Sequence, residues 1–88
     1  MDMAGVEEIR AGIALANEKS LAGIAAITQA SLQLDEARTA LLGATQGSSQ
    51  ADVAQAQGLL TEALQVLAGA QASIQASINS AEGYAARL

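Results

Sequence analysis

A seven-residue repeat, apolar at most of its steps, runs through this chain twice and breaks once. In the first half it reads Val6, Ile13, Ser20, Ile27, Leu34, Leu41, with Ile9, Ala16, Ile24 and Ser31 at the intermediate steps. In the second half it reads Val53, Leu60, Leu67, Ile74, Ala81, Leu88, with Leu64, Ile78 and Ala85 between. Sustained heptads of this kind specify long helices packed side by side. The break is the stretch Gly43-Ala44-Thr45-Gln46-Gly47-Ser48-Ser49-Gln50, the one segment with turn chemistry. Gly43 fits a C′ position closing the first helix, and Ser49 fits an N-cap with Asp52 three residues on. The expectation is therefore a single all-α domain over residues 1–88: helix 1 over about 4–42, a turn over 43–50, and helix 2 over about 51–87. A short connection makes the two helices an antiparallel hairpin.

Composition narrows what such a hairpin can do. Alanine makes up a quarter of the 88 residues, which favours helix, and proline is absent. Histidine and cysteine are also absent, which removes disulfides, thiolate or imidazole metal sites, and catalysis by those groups. Nine acidic residues against four basic ones give a net charge of −5. That sign opposes both nucleic-acid binding and an anionic membrane surface. The N-terminal segment carries Asp2, Glu7 and Glu8 rather than a basic stretch before an apolar one, so no cleavable signal peptide is expected. The two longest charge-free windows are Ser20–Leu34 and Ala63–Ala81. Only the second is long enough to span a bilayer, and Gln65, Gln71, Ser73, Gln75, Ser77, Asn79 and Ser80 interrupt it.

The apolar residues exceed what a two-helix seam can cover. On a helical wheel Leu21 and Leu32 lie to one side of the first helix's stripe, and Leu59, Val66 and Tyr84 flank the second. Alanine buries little area, so a lone hairpin of this composition has marginal stability. Association with another helical hairpin, a second copy or a different chain, would cover the flanks and complete a four-helix bundle. Gly12, Gly23, Gly58 and Gly69 lie inside the expected helices. Each costs about 1 kcal/mol relative to alanine. Within each pair the spacing is eleven residues, which puts the two on one face, open to close approach by another helix. The expected interface is Leu21, Gly23, Ile24, Leu32, Leu59, Val66, Gly69 and Tyr84. Tyr84 also reads as a residue that closes the core near the chain end.

No catalytic, metal or cofactor site is expected. Glu7-Glu8 and Asp35-Glu36 are neighbours, which point about 100° apart on a helix and do not converge on a ligand. Glu7 with Arg10 and Asp35 with Arg38 read as surface ion pairs three residues apart. Lys19 and Ser20 cannot face each other as a nucleophilic dyad. Ser20, Gln57 and Gln71 fall on or beside the seams and read as polar breaks that set register. The two halves also align, with Leu21–Leu32 matching Leu67–Ile78 at eight of twelve positions, counting Ile/Leu exchanges. Such a match fits a duplicated helix or an alanine-rich coincidence.

With its length, two long helices, central Gly-containing turn, absent cysteine and acidic balance, the chain resembles the small helical hairpins of type VII secretion, the WXG100 or ESAT-6-like superfamily. It is similar also to the alanine-rich helical pairs of mycobacterial PE domains. The family's Trp-x-Gly turn reads Leu41-Leu42-Gly43 here, so only the glycine matches. The family's tyrosine-then-acid secretion signal reads Tyr84 with Leu88 four residues on. The resemblance implies a non-catalytic protein that pairs with another hairpin and either stays in the cytoplasm or is secreted without a cleavable signal peptide. The alternative reading is a membrane-active or pore-forming helical protein, based on the small-residue helix Ala63–Ala81.

Overall fold

The computed structural model describes residues 2–88, with side chains from residue 5 onward. Helix α1 spans Asp2–Ala44 and helix α2 spans Ala51–Ala86, 43 and 36 residues long. They fold back on each other as an antiparallel hairpin, 70 × 15 × 13 Å. The radius of gyration is 20.0 Å, against the roughly 12 Å of a compact domain of this length. The molecule is a rod two helices wide.

The heptads place the seam. Each helix buries one line of side chains with alternating steps of three and four residues. In coiled-coil notation the d positions are Val6, Ile13, Ser20, Ile27, Leu34 and Leu41 on α1. On α2 they are Val53, Leu60, Leu67, Ile74, Ala81 and Leu88. The a positions after the exposed Arg10 are Asn17, Ile24, Ser31, Arg38 and Thr45 on α1, and on α2 they are Gln57, Leu64, Gln71, Ile78 and Ala85. All of these are half-buried or better. Ile9 and Ala16, expected in the seam, fall one position off it at g, and both are exposed. Asn17 takes the seam place instead, because the a–d step is set by the unbroken run from Ile13 to Leu41.

The break differs in detail from the sequence expectation. Helix α1 runs through Gly43 to Ala44, so Gly43 does not cap it. The left-handed position belongs to Gly47, at φ +87°, where a side chain would be strained. Thr45 closes the helix by donating both its N–H and its hydroxyl to the Leu41 carbonyl, at 3.0 and 2.6 Å. Ser49 is not the N-cap of α2. Gln50 holds that position with extended backbone and no side-chain cap. Ser48 Oγ accepts from the Gln50 N–H at 3.3 Å, and Asp52 stands in the first turn, where its charge suits the helix dipole.

Polar side chains fix the register. Gln71 donates to Thr28 Oγ1 at 2.7 Å and to the Ile24 carbonyl at 3.3 Å. Gln57 donates to the Arg38 carbonyl at 3.1 Å. The Arg38 guanidinium donates to Thr61 Oγ1 at 3.1 Å and to Asp35 Oδ1 at 2.7 Å. The expected role of Gln57 and Gln71 is thus met by specific bonds. Ser20 sits at d, half-buried. Of the two expected surface ion pairs, among the described residues Asp35–Arg38 forms and Glu7–Arg10 does not.

The internal repeat is out of phase with the seam. Its offset of 46 residues is not a multiple of seven, so matched residues occupy different heptad positions. Leu32 lies at b and is exposed, whereas its counterpart Ile78 lies at a and is the one residue under a tenth accessible among those described. The two helices are therefore not equivalent halves of one packing unit.

Candidate protein interface

A two-helix seam leaves most of each helix facing outward. Eight large apolar side chains, Ile9, Leu15, Leu21, Leu32, Leu42, Leu59, Val66 and Tyr84, are between 42% and 65% exposed. Among the described residues only Ile78, at 3%, is buried. The total accessible surface is 6090 Å², against about 4,800 Å² for a typical folded chain of 8.8 kDa. The hairpin thus exposes roughly 1,300 Å² more than a compact monomer of its mass would.

The heptad sorts this surface into two sides. Along one side run the e positions: Glu7, Ala14, Leu21, Thr28, Asp35 and Leu42 on α1, and Ala54, Thr61, Ala68, Gln75 and Glu82 on α2. An open groove of about 700 Å³ lies here near the chain ends, lined by Arg10, Ile13, Asn17, Glu18, Leu21 and Glu82 among others. It combines apolar floor with both signs of charge. Along the other side run the g positions: Ile9, Ala16, Gly23, Ala30, Ala37 and Ala44 on α1, and Ala56, Ala63, Ala70, Ser77 and Tyr84 on α2. A second groove of about 400 Å³ opens beside this line between Leu34, Leu59, Glu62, Ala63, Val66 and Leu67.

The residues expected to form one interface therefore divide. Leu21 and Leu32, at e and b, belong to the first side. Gly23, Leu59, Val66 and Tyr84, at g or the adjoining c, belong to the second. Ile24 is a seam residue: it lies half-buried at a, with its carbonyl taken by Gln71 and Thr28. Gly69 is at f, pointing away from the seam and from Gly23. A Cβ at Gly12, Gly23, Gly58 or Gly69 would meet nothing within 4 Å, so none of these glycines serves a close approach inside the hairpin. Tyr84 does not close the core. Its ring is nearly half exposed.

Leu15, Leu42 and Ile9 were not expected at the surface. Leu42 had a signal, since it stands three heptads after Leu21 and shares its e position. Leu15 stands alone at f, with no such partner.

Among the described residues no group of three His, Cys, Asp or Glu side chains comes together in a way that could hold a metal ion. Among the described residues the carboxylates sit on outer faces, and the one ion pair is the local Asp35–Arg38 contact at 2.7 Å. No family model matches this chain, and no curated protein or solved structure does either.

Proposed function

We propose that this protein is a non-catalytic assembly protein, whose hairpin associates side-on with another helical hairpin to complete a four-helix bundle. The carrying observation is the imbalance, among the described residues, between eight exposed large apolar side chains and a single buried one. Exposed apolar area of this extent marks interaction surfaces in soluble proteins, and four-helix packing is the arrangement that covers both outer arcs of a hairpin. The resemblance to type VII secretion hairpins adds a finer reading, a small helical substrate or partner of that route. A secretion assay with and without the system's ATPase tests that part.

The alternative, a membrane-active helix pair, has less support. Among the described residues no helix is long and apolar enough to cross a membrane. Co-sedimentation with neutral and anionic liposomes decides it, and vesicle binding would favour the alternative.

The assembly reading is tested by light scattering after size exclusion over a concentration series, with circular dichroism on the same fractions. A helical species of at least twice the chain mass is expected. A labile, weakly helical chain that becomes helical only with a partner hairpin would also agree. A cooperative, fully helical monomer at every concentration would sink it.

A further inference from the structure

The seam that joins the helices is polar along one of its two lines. On α1 the a line carries Arg10, Asn17, Ser31, Arg38 and Thr45, with Ile24 its one apolar residue. On α2 Gln57 and Gln71 share it with Leu64, Ile78 and Ala85. A polar residue at a fixes register but weakens the seam, and here it recurs along the whole of α1. The other neighbour of the apolar d line is the g line. After Ile9 it is alanine or glycine at every step of α1, and on α2 it runs Ala56, Ala63, Ala70, Ser77, Tyr84. Asp2, in g register, precedes the first seam residue, Val6. Large side chains at d alternating with small ones at g interdigitate well, and they bury no charge.

The hairpin already leans that way. Gly23, Ala30, Ala56, Ala63 and Ala70 are half-buried, whereas on the e line, among the described residues, Thr61 alone is. Space remains beside them. Nothing lies within 4 Å of a Cβ on Gly23, and the open groove of about 400 Å³ has Leu34, Ala63 and Leu67 in its wall. The levels match as well. The clasps put Gln71 beside Ile24 and Gln57 beside Arg38. Counting from them, Gly23, Ala30 and Ala37 stand within two residues of Ala70, Ala63 and Ala56, about 3 Å along the axis. Turning each helix by one heptad step, about 50°, therefore exchanges a for g in the seam without sliding one helix past the other.

We infer that the hairpin has two seams, an a–d seam held by the Gln57 and Gln71 clasps and a d–g seam closed on alanine, interconverted by rotation of both helices about their own axes. The first buries Ile24, Leu64 and Ile78 and makes the cross-helix bonds. The second gives up those bonds and returns Asn17, Arg38, Gln57 and Gln71 to water. These gains and losses oppose each other, as two packings of one sequence close in free energy require. Rotation also withdraws Ile9 and Tyr84 from the surface and presents Ile24, Leu64 and Ile78. The apolar face that a partner meets thus depends on the seam in use. Rotation takes place within one hairpin and needs no second molecule.

Two reporter cysteines in the full chain test this, Ala30→Cys at g and its neighbour Ser31→Cys at a, read by alkylation rate with circular dichroism alongside. Both positions are half-buried, so both rates are measurable. Gln57→Ala with Gln71→Ala releases the clasps and favours the d–g seam. Alkylation is expected to slow roughly threefold or more at A30C and to quicken by a similar factor at S31C. Asn17→Leu with Arg38→Leu makes the a line apolar, and the opposite shift is expected. This second pair adds apolar burial, so it keeps the helices where the first loses them. Rates at the two cysteines that move together, or do not move, in a variant that stays helical overturn the two seams. Protection of A30C that grows with protein concentration also overturns them, because a second molecule would then be covering the g line.

Discussion

The Gln71 carboxamide reaches across the seam to Thr28 Oγ1 at 2.7 Å and to the Ile24 carbonyl at 3.3 Å. Two heptads nearer the turn, Gln57 does the same to the Arg38 carbonyl at 3.1 Å. Both clasps hold the same register, because the donors and the acceptors are each fourteen residues apart. Slipping either helix by a turn would break both clasps and leave amides unpaired in the seam, and this opposes misregistration more than it adds stability. Gln71→Ala is expected to lower stability by about 1 kcal/mol. Gln57→Leu with Gln71→Leu should keep or raise stability but broaden the register. Urea melts at fixed protein concentration check the first, and cross-linking between engineered cysteines on the two helices checks the second.

Ile78 and Leu32 should respond to truncation very differently, despite their matched places in the repeat. Ile78→Ala leaves a cavity at the best-packed point of the seam, and a loss of about 2–4 kcal/mol is expected. Leu32→Ala removes an exposed side chain at b and should change stability by less than about 0.5 kcal/mol. Equal losses in thermal or denaturant melts would contradict the out-of-phase seam.

The glycines separate by backbone rather than by count. Gly47 alone among the described residues has positive φ, so Gly47→Ala should destabilise by about 1 kcal/mol. Gly43 and Gly69 are helical, with open space around a Cβ. Replacing either with alanine should stabilise by roughly 0.5–1 kcal/mol. Chemical denaturation of the three single variants checks the signs.

Arg38 joins a surface pair to a cross-helix bond, so its two partners can be told apart. Asp35→Ala breaks only an exposed ion pair three residues apart and should cost about 0.2–0.5 kcal/mol, less at high salt. Thr61→Val removes the acceptor that Arg38 reaches at 3.1 Å across the seam, and about 1 kcal/mol is expected, insensitive to salt. Melts at low and at molar salt distinguish the two.

The heptad, the absence of proline and the single Gly-rich break determined by themselves that this chain is two long helices in a hairpin. A period of 3.5 residues has one structural solution, and each half keeps it for five or more repeats. The polar seam residues Gln57 and Gln71 were legible for the same reason: a polar side chain on an apolar stripe must find a partner. What the sequence left open was phase and side. Ala16 and Asn17 are neighbours on the helix, and which of them enters the seam depends on the partner helix. The left-handed backbone could belong to either Gly43 or Gly47, and only the path of the chain between the packed helices assigned it to Gly47. The tertiary structure also divided the flanking residues. Leu21 and Leu32 went to one side, Leu59, Val66 and Tyr84 to the other, and Ile24 into the seam. A single helix shows an apolar arc of a certain width. Only the second helix, laid along one line of that arc, decides which residues are left on its two sides.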